Sequence, residues 1–226
     1  MFLQENEMTL ESVKHYLAHE LAGHIARSVA GEHSSLGLLA IGTKNYSPTE
    51  EGIALYRERQ IEKLQGRVFD DWGAWFGTLV TGLASGVTTP PQTFLSLFTF
   101  LERFFLLWRL IEHLDEDRQS TQEKARRAAL SSCLRVYRGV PDLQQAGICL
   151  NKDAVYLRGL WLVEHAAMQD ATVLDRLAVG KVAIEYLSDL QELGIIAPPQ
   201  PLQKLLLDPD LDSYIDSFEN TQEQPD

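Results

Sequence analysis

The chain has 226 residues, 45% of them hydrophobic and 23% charged, which suits a globular protein with a sizeable core. Lys and Arg number 20 against 32 Asp and Glu, a formal charge of -12. That balance excludes a protein that tracks nucleic-acid phosphates on a basic surface, and one that docks on anionic lipid.

Cys133 and Cys149 are too few for a disulfide framework or an all-cysteine metal site. The opening MFLQENEMTLE is acidic where a signal peptide carries positive charge and then an apolar core. The most apolar run, residues 93–111, contains Glu102, Arg103 and Arg109 and so does not read as a membrane span. The expectation is a soluble, cytoplasmic protein that binds neither nucleic acid nor membrane.

From residue 9 to 30 apolar residues recur at helical spacing, with Thr9 as N-cap and Gly31 placed to end the helix. The Gly- and Ser-rich SSLGLLAIGTKNYSP reads as a loop, with a short strand possible over 36–41. Ser47 and Pro48 open a second helix, TEEGIALYRERQIEKLQG, with acidic residues in its first turn where the helix dipole favours them. A third helix, rich in Trp and Gly, covers 69–83. A fourth, strongly apolar, starts at Pro90 and Pro91 and runs to about Leu114. The charged DEDRQSTQEK separates it from a fifth helix ending near Arg138. Gly139, Pro141 and Gly147 mark a loop, and helices follow over 153–168 and 173–193. The polar tail 218–226 reads as disordered. Without repeats or a dividing linker, residues 1–217 are expected to form a single, mostly α domain with at most a minor strand component.

The informative motif is His19-Glu20-Leu21-Ala22-Gly23-His24, an HExxxH. In the HExxH of zinc proteases, histidines four apart share one helix face and the glutamate is the general base. Histidines five apart on a regular helix point roughly 140° away from each other. Such spacing is either fatal to a metal site or a sign of a locally widened, π-bulged helix, a feature that collects at functional sites. Gly23 gives the backbone freedom to make one. A hydrolytic zinc also needs a third protein ligand and an open position for water. Glu50 or Glu51, in the first turn of the second helix, is placed to face back and complete a His-His-Glu set. Gly52 leaves room for a close helix approach. An acidic first turn with no ligand role is the plainer reading of the same residues.

HELAGH followed by TEEGIA resembles the atypical zinc metallopeptidases that include the microtubule-associated tyrosine carboxypeptidases and the bacterial QEGLA-motif, flavohaemoglobin-expression-modulating proteins. The resemblance continues in Arg135-Val136-Tyr137-Arg138-Gly139, in Asn151-Lys152-Asp153 with Tyr156-Leu157-Arg158-Gly159-Leu160, and in GKVAIEYLSDLQELGIIAPP. Ile53 and Asn151 depart from the family's usual Leu and Thr. Members carry a substantial region ahead of the HExxxH helix, whereas 18 residues precede His19 here.

The resemblance implies a helical, zincin-like fold with one zinc ion. His19, His24 and Glu51 are its ligands and Glu20 the general base. The implied activity is release of a residue from a peptide or protein C-terminus. Arg138, Lys152 and Tyr156 are the choices for gripping the terminal carboxylate and supplying an oxyanion donor. Arg127 and Arg135 rank lower, as ordinary helix-surface charges. A substrate tail as acidic as tubulin's would face a charge of -12, so that substrate is not carried over.

Plainer readings stand beside these. His15 is a surface residue or a partner to a ligand. His33, His113 and His165 lack ligand-like spacing. Both cysteines read as small hydrophobes. The aromatic series Phe94, Phe98, Phe100, Phe104, Phe105 and Trp108 reads as core. The rival to an enzyme is a non-catalytic helical interaction module that keeps or has lost the zinc; an endopeptidase or aminopeptidase is the third possibility.

Overall fold

A computed structural model of the protein describes residues 10–64, 66, 72–87, 89–112, 117–195, 197 and 208. Helix α1 (Leu10–Tyr16) runs without a break into a π-helical stretch, Leu17–Ile25, and on into α2 (Ala26–Glu32). Then come α3 (Leu38–Ile41), α4 (Tyr46–Leu64), α5 (Trp72–Ser85), α6 (Phe94–Glu112), α7 (Arg118–Val136), α8 (Ala154–Gln169) and α9 (Val173–Leu177). A 3-10 turn, Ile184–Tyr186, leads into α10 (Leu187–Glu192). The protein is mostly α, and the described residues contain no strand.

The chain clusters into two compact units, one from Met1–Asp70 with Arg158–Asp226, the other from Asp71–Leu157. The first holds one core of Leu39, Ile53, Val163, Val173, Leu177, Val179, Val182, Leu187 and Leu190. A smaller cluster, Ala18, Ala22 and Ile61, joins the π-helical stretch to α4.

Several local expectations are corrected. Gly31 does not end the first helix, which continues to Glu32. A Cβ at Gly31 would lie 2.2 Å from the Leu39 carbonyl oxygen, so glycine is there for close chain approach. The segment expected to hold a short strand forms helix α3 instead, with Leu39 its one buried residue and no strand partner among the described residues. Its ends are pinned elsewhere: the Lys181 amide donates to the Leu39 carbonyl at 2.9 Å, and the Thr43 amide to the Lys181 carbonyl at 3.0 Å. The helix expected over 173–193 breaks after Leu177, and Gly180 at φ 151° turns the chain against Leu39 and Gly31.

The second unit packs α5, α6 and α7 around Val80, Ala84, Leu97, Leu101, Ala129, Cys133, Val136 and Tyr137. Small residues at four-residue intervals, Ala125, Ala129 and Cys133, are fully buried on α7. Fully burying Leu97 or Leu101 stabilises by about 1.5–3 kcal/mol each. Burial also pushes the Cys133 thiol up to about 12, which removes it as a nucleophile.

Helix α7 begins inside the charged stretch expected to separate helices, because the Asp117 carboxylate accepts from the Ser120 amide at 3.0 Å and caps it. Helix α6 starts after its prolines. There the Ser96 amide donates to Thr93 Oγ1 at 3.2 Å and the Thr93 amide to Ser96 Oγ at 2.9 Å. Of its aromatic series, Phe94, Phe98 and Phe105 pack on the core while Phe100 stays exposed. His113, residues 69–71, Leu114, Thr9 and the tail 218–226 lie outside the described residues.

Candidate metal centre

The five-residue histidine spacing is met by a change in helix type. Within Leu17–Ile25 the hydrogen-bond ladder widens, and the Ala26 amide donates to the Leu21 carbonyl, five residues back. With i→i+5 bonding, residues five apart fall on one side of the helix. The rings of His19 and His24 stand 5.1 Å apart between centroids, inclined at 65°.

Gly23 lets this wide helix press on α4: a Cβ there would sit 3.0 Å from the Ala54 Cβ. Gly52 performs the same service on another face of α4. A Cβ on Gly52 would lie 2.1 Å from the Gly159 carbonyl oxygen, and one on Gly159 would lie 1.9 Å from the Pro48 oxygen. Each position of Glu51-Gly52-Ile53-Ala54 therefore has its own neighbour. Glu51 meets the histidines, Gly52 meets α8, Ile53 enters the core and Ala54 meets Gly23.

One ligand atom from each of His19, His24 and Glu51 lies within 4.8 Å of the others. His24 Nε2 is 3.7 Å from Glu51 Oε2. The opposite edges of both rings face carboxylates. His19 Nδ1 is 2.7 Å from Glu58 Oε1, a hydrogen bond in which a neutral ring donates and keeps Nε2 for a ligand role. His24 Nδ1 lies 3.8 Å from Glu50 Oε1.

Burial opposes a positive charge on His19. The hydrogen bond and charge of Glu58, with the charges of Glu20 and Glu51, outweigh it and raise the ring's pKa. The surroundings of this ring thus favour its protonated form, which a bound metal ion would displace. Two imidazoles and a carboxylate, each imidazole backed by a further carboxylate, form a donor set that fits zinc.

Behind Glu50 stands Arg27, fully buried, its Nε donating to the Leu177 carbonyl at 3.0 Å and NH2 to the Val182 carbonyl at 3.1 Å. Burial lowers its pKa to about 10, so it stays charged at neutral pH. Its NH1 is 3.7 Å from Glu50 Oε1, and both atoms are buried without a hydrogen-bond partner. Burial of Glu50 works towards protonation, but His24, Arg27 and Lys181 outweigh it and keep its pKa low.

Glu20 is exposed in the π-helical stretch, directly after His19. His15 pairs with Glu62, Nε2 to Oε1, at 2.7 Å. The histidines and the glutamates of α4 therefore pair as an antiparallel ladder: His15 with Glu62, His19 with Glu58, His24 with Glu51. The sequence reading missed Glu58. Its signal was present, since Glu51, Glu58 and Glu62 recur at spacings of seven and four, which share one helix face.

Arg138, Lys152 and Tyr156 belong to the second unit, where all three line one polar cavity of about 240 Å³. Arg135, Leu150 and Asp153 complete its wall. Lys152 Nζ stands 5.9 Å over the centroid of the Tyr156 ring. Arg135 Nε donates to Asp153 Oδ2 at 2.6 Å, so the arginine ranked lower on sequence is part of the same cavity.

Two histidines on a π-helical stretch and a glutamate of α4 thus form a His-His-Glu triangle that could hold a metal ion. A family model described as microtubule-associated tyrosine carboxypeptidase matches residues 117–222. Microtubule-associated tyrosine carboxypeptidase 1 of Mus musculus is 27% identical over 192 residues, covering 80% of this chain and 33% of that protein. The chain spans about a third of the length of this curated relative, and it resembles the tyrosine carboxypeptidase family. The family-model match takes in the cavity residues Arg135 to Tyr156 and begins after the HExxxH and TEEGIA segments.

Proposed function

We propose that this chain is a zinc-dependent carboxypeptidase, acting in the cytoplasm on a peptide or protein C-terminus. The observation that carries the reading is the meeting of His19, His24 and Glu51 with Glu20 next to a ligand in sequence. His19 and His24 would hold one zinc ion through Nε2 and Glu51 through its carboxylate. When bound, zinc supplies Lewis acidity, acidifying water and polarising the scissile carbonyl.

The chain's own residues do the rest. Glu58 hydrogen-bonds the His19 imidazole at Nδ1 and Glu50 faces His24 Nδ1 at 3.8 Å, an arrangement that would leave each Nε2 for the metal. Glu20 takes a proton from the attacking water and returns it to the leaving amine. Arg138 and Lys152 take the substrate's terminal carboxylate, and the Tyr156 hydroxyl donates a hydrogen bond to it or to the oxyanion. Among the described residues, no helix is long and apolar enough to cross a membrane.

Peptides blocked at one end test the assignment. A peptide with a free C-terminus is expected to lose its last residue, and its C-terminally amidated twin to remain intact. Cleavage of both, at an internal bond, would make the protein an endopeptidase instead.

A further inference from the structure

In a chain of charge -12, the cavity of the second unit gathers Arg135, Arg138 and Lys152 around one carboxylate, Asp153. The local sign is reversed, which suits an anionic ligand. Asp153 is not a surface acid that happens to lie nearby. Its side chain is 10% exposed, and its backbone carbonyl accepts from Thr78 Oγ1 at 3.3 Å. A Cβ on Gly77 would lie 3.1–3.3 Å from the Asp153 side chain, so α5 closes over it. The segment carrying it is fastened to the end of α7 by the Leu150 amide, which donates to the Val136 carbonyl at 2.7 Å.

Into this fixed acid reaches Arg135, whose own side chain is 61% exposed. The bond runs through Nε alone. A guanidinium held at Nε keeps its planar edge of terminal nitrogens in one orientation, and that edge matches a carboxylate bidentately. Arg138 and Lys152 line the same cavity from the two ends of the loop that joins α7 to α8.

We propose that Asp153 is a positioning residue and Arg135 the principal carboxylate-binding group of this cavity. Asp153 holds Nε so that the terminal nitrogens of Arg135, with Arg138 and Lys152, receive the α-carboxylate of a peptide. The inference rests on reading the cavity as the carboxylate grip of the proposed carboxypeptidase, and adds to it which arginine binds and what aims it.

Calorimetric binding of an N-acetylated peptide ending in tyrosine, and of its C-terminal amide, tests this on the full chain carrying Glu20→Gln so that bound peptide persists. Arg135→Gln is expected to weaken the free-acid peptide roughly ten- to hundredfold. Asp153→Asn is expected to weaken it about tenfold, and to add nothing when combined with Arg135→Gln, because it acts only through that side chain. Neither change should alter binding of the amide, which a merely structural loss would weaken as well.

Additive losses in the double variant, or equal losses for acid and amide, would overturn the positioning role. If Arg138→Gln weakened the free acid while Arg135→Gln and Asp153→Asn did not, this inference would fail and the carboxylate grip would stand. If none of the three changed it, both would fail.

Discussion

Glu20→Gln is expected to lower peptide hydrolysis by roughly 10²–10⁴-fold, the usual loss for a positioned general base, while leaving zinc content unchanged. In free energy that is about 3–5 kcal/mol of transition-state stabilisation. The separation of the two readouts follows from the geometry. The triangle is drawn from His19, His24 and Glu51, and behind it Glu58 bonds His19 Nδ1 while Glu50 faces His24 Nδ1. Glu20 belongs to neither group and is exposed. Glutamine keeps its size and loses its basicity, so the water would lose its proton acceptor and the metal would lose nothing. Turnover of the free-acid peptide and metal analysis on the same preparation check both halves. Wild-type turnover in Glu20→Gln would remove the proposed base, and loss of zinc would make Glu20 a ligand.

The second large effect falls on stability, at a residue outside the ligand set. Gly159→Ala puts a methyl group 1.9 Å from the Pro48 carbonyl oxygen and 2.8 Å from the Gly52 amide nitrogen. Both neighbours are backbone, so no side chain can turn aside and the two helices must part. Overpacking of this kind costs about 3 kcal/mol, which for a chain of this size lowers Tm by roughly 6–12 °C. Pro48 to Gly52 is also the turn that carries Glu51. The same change should therefore weaken zinc binding in protein that remains folded. Gly37→Ala is the control: nothing lies within 4 Å of its added Cβ, and its φ of -56° is ordinary for any residue. Thermal unfolding of the three proteins decides it. A Gly159→Ala protein as stable as wild type would mean that the close crossing of α4 and α8 does not hold the turn of α4 that carries Glu51.

What the sequence disclosed depended on how local the cause was. The widened helix was legible because two chemically demanding histidines stand at a spacing that a regular helix cannot use, and the i→i+5 bond from Ala26 to Leu21 resolves the conflict. Caps formed by side chains close in sequence, such as Asp117 for α7, were also on the page, though the charge around Asp117 made the stretch look like a linker.

Features set by distant packing were not. Gly31 reads as a helix terminator until Leu39 is seen against it, and Leu36 to Ile41 has an apolar pattern too short to tell strand from helix. Gly180 breaks an otherwise helical pattern because Leu39 and Gly31 approach it, and nothing within residues 173–193 announces that. At the site, the HExxxH and the glutamates of TEEGIA pointed to the His-His-Glu triangle, although α4 starts at Tyr46 and so has no acidic residue in its first turn. Glu58 needed the pairing of two helices before its partner could be recognised, and Asp153 needed the fold around it.

The central claim is that this chain holds one zinc through His19, His24 and Glu51. Elemental analysis of wild type and Glu51→Ala, purified side by side without added metal, tests it most directly. Near-stoichiometric zinc in wild type, sharply reduced in Glu51→Ala protein that is still folded, is the predicted result. A folded wild type without zinc even after reconstitution, or a Glu51→Ala variant holding as much zinc as wild type, would contradict it.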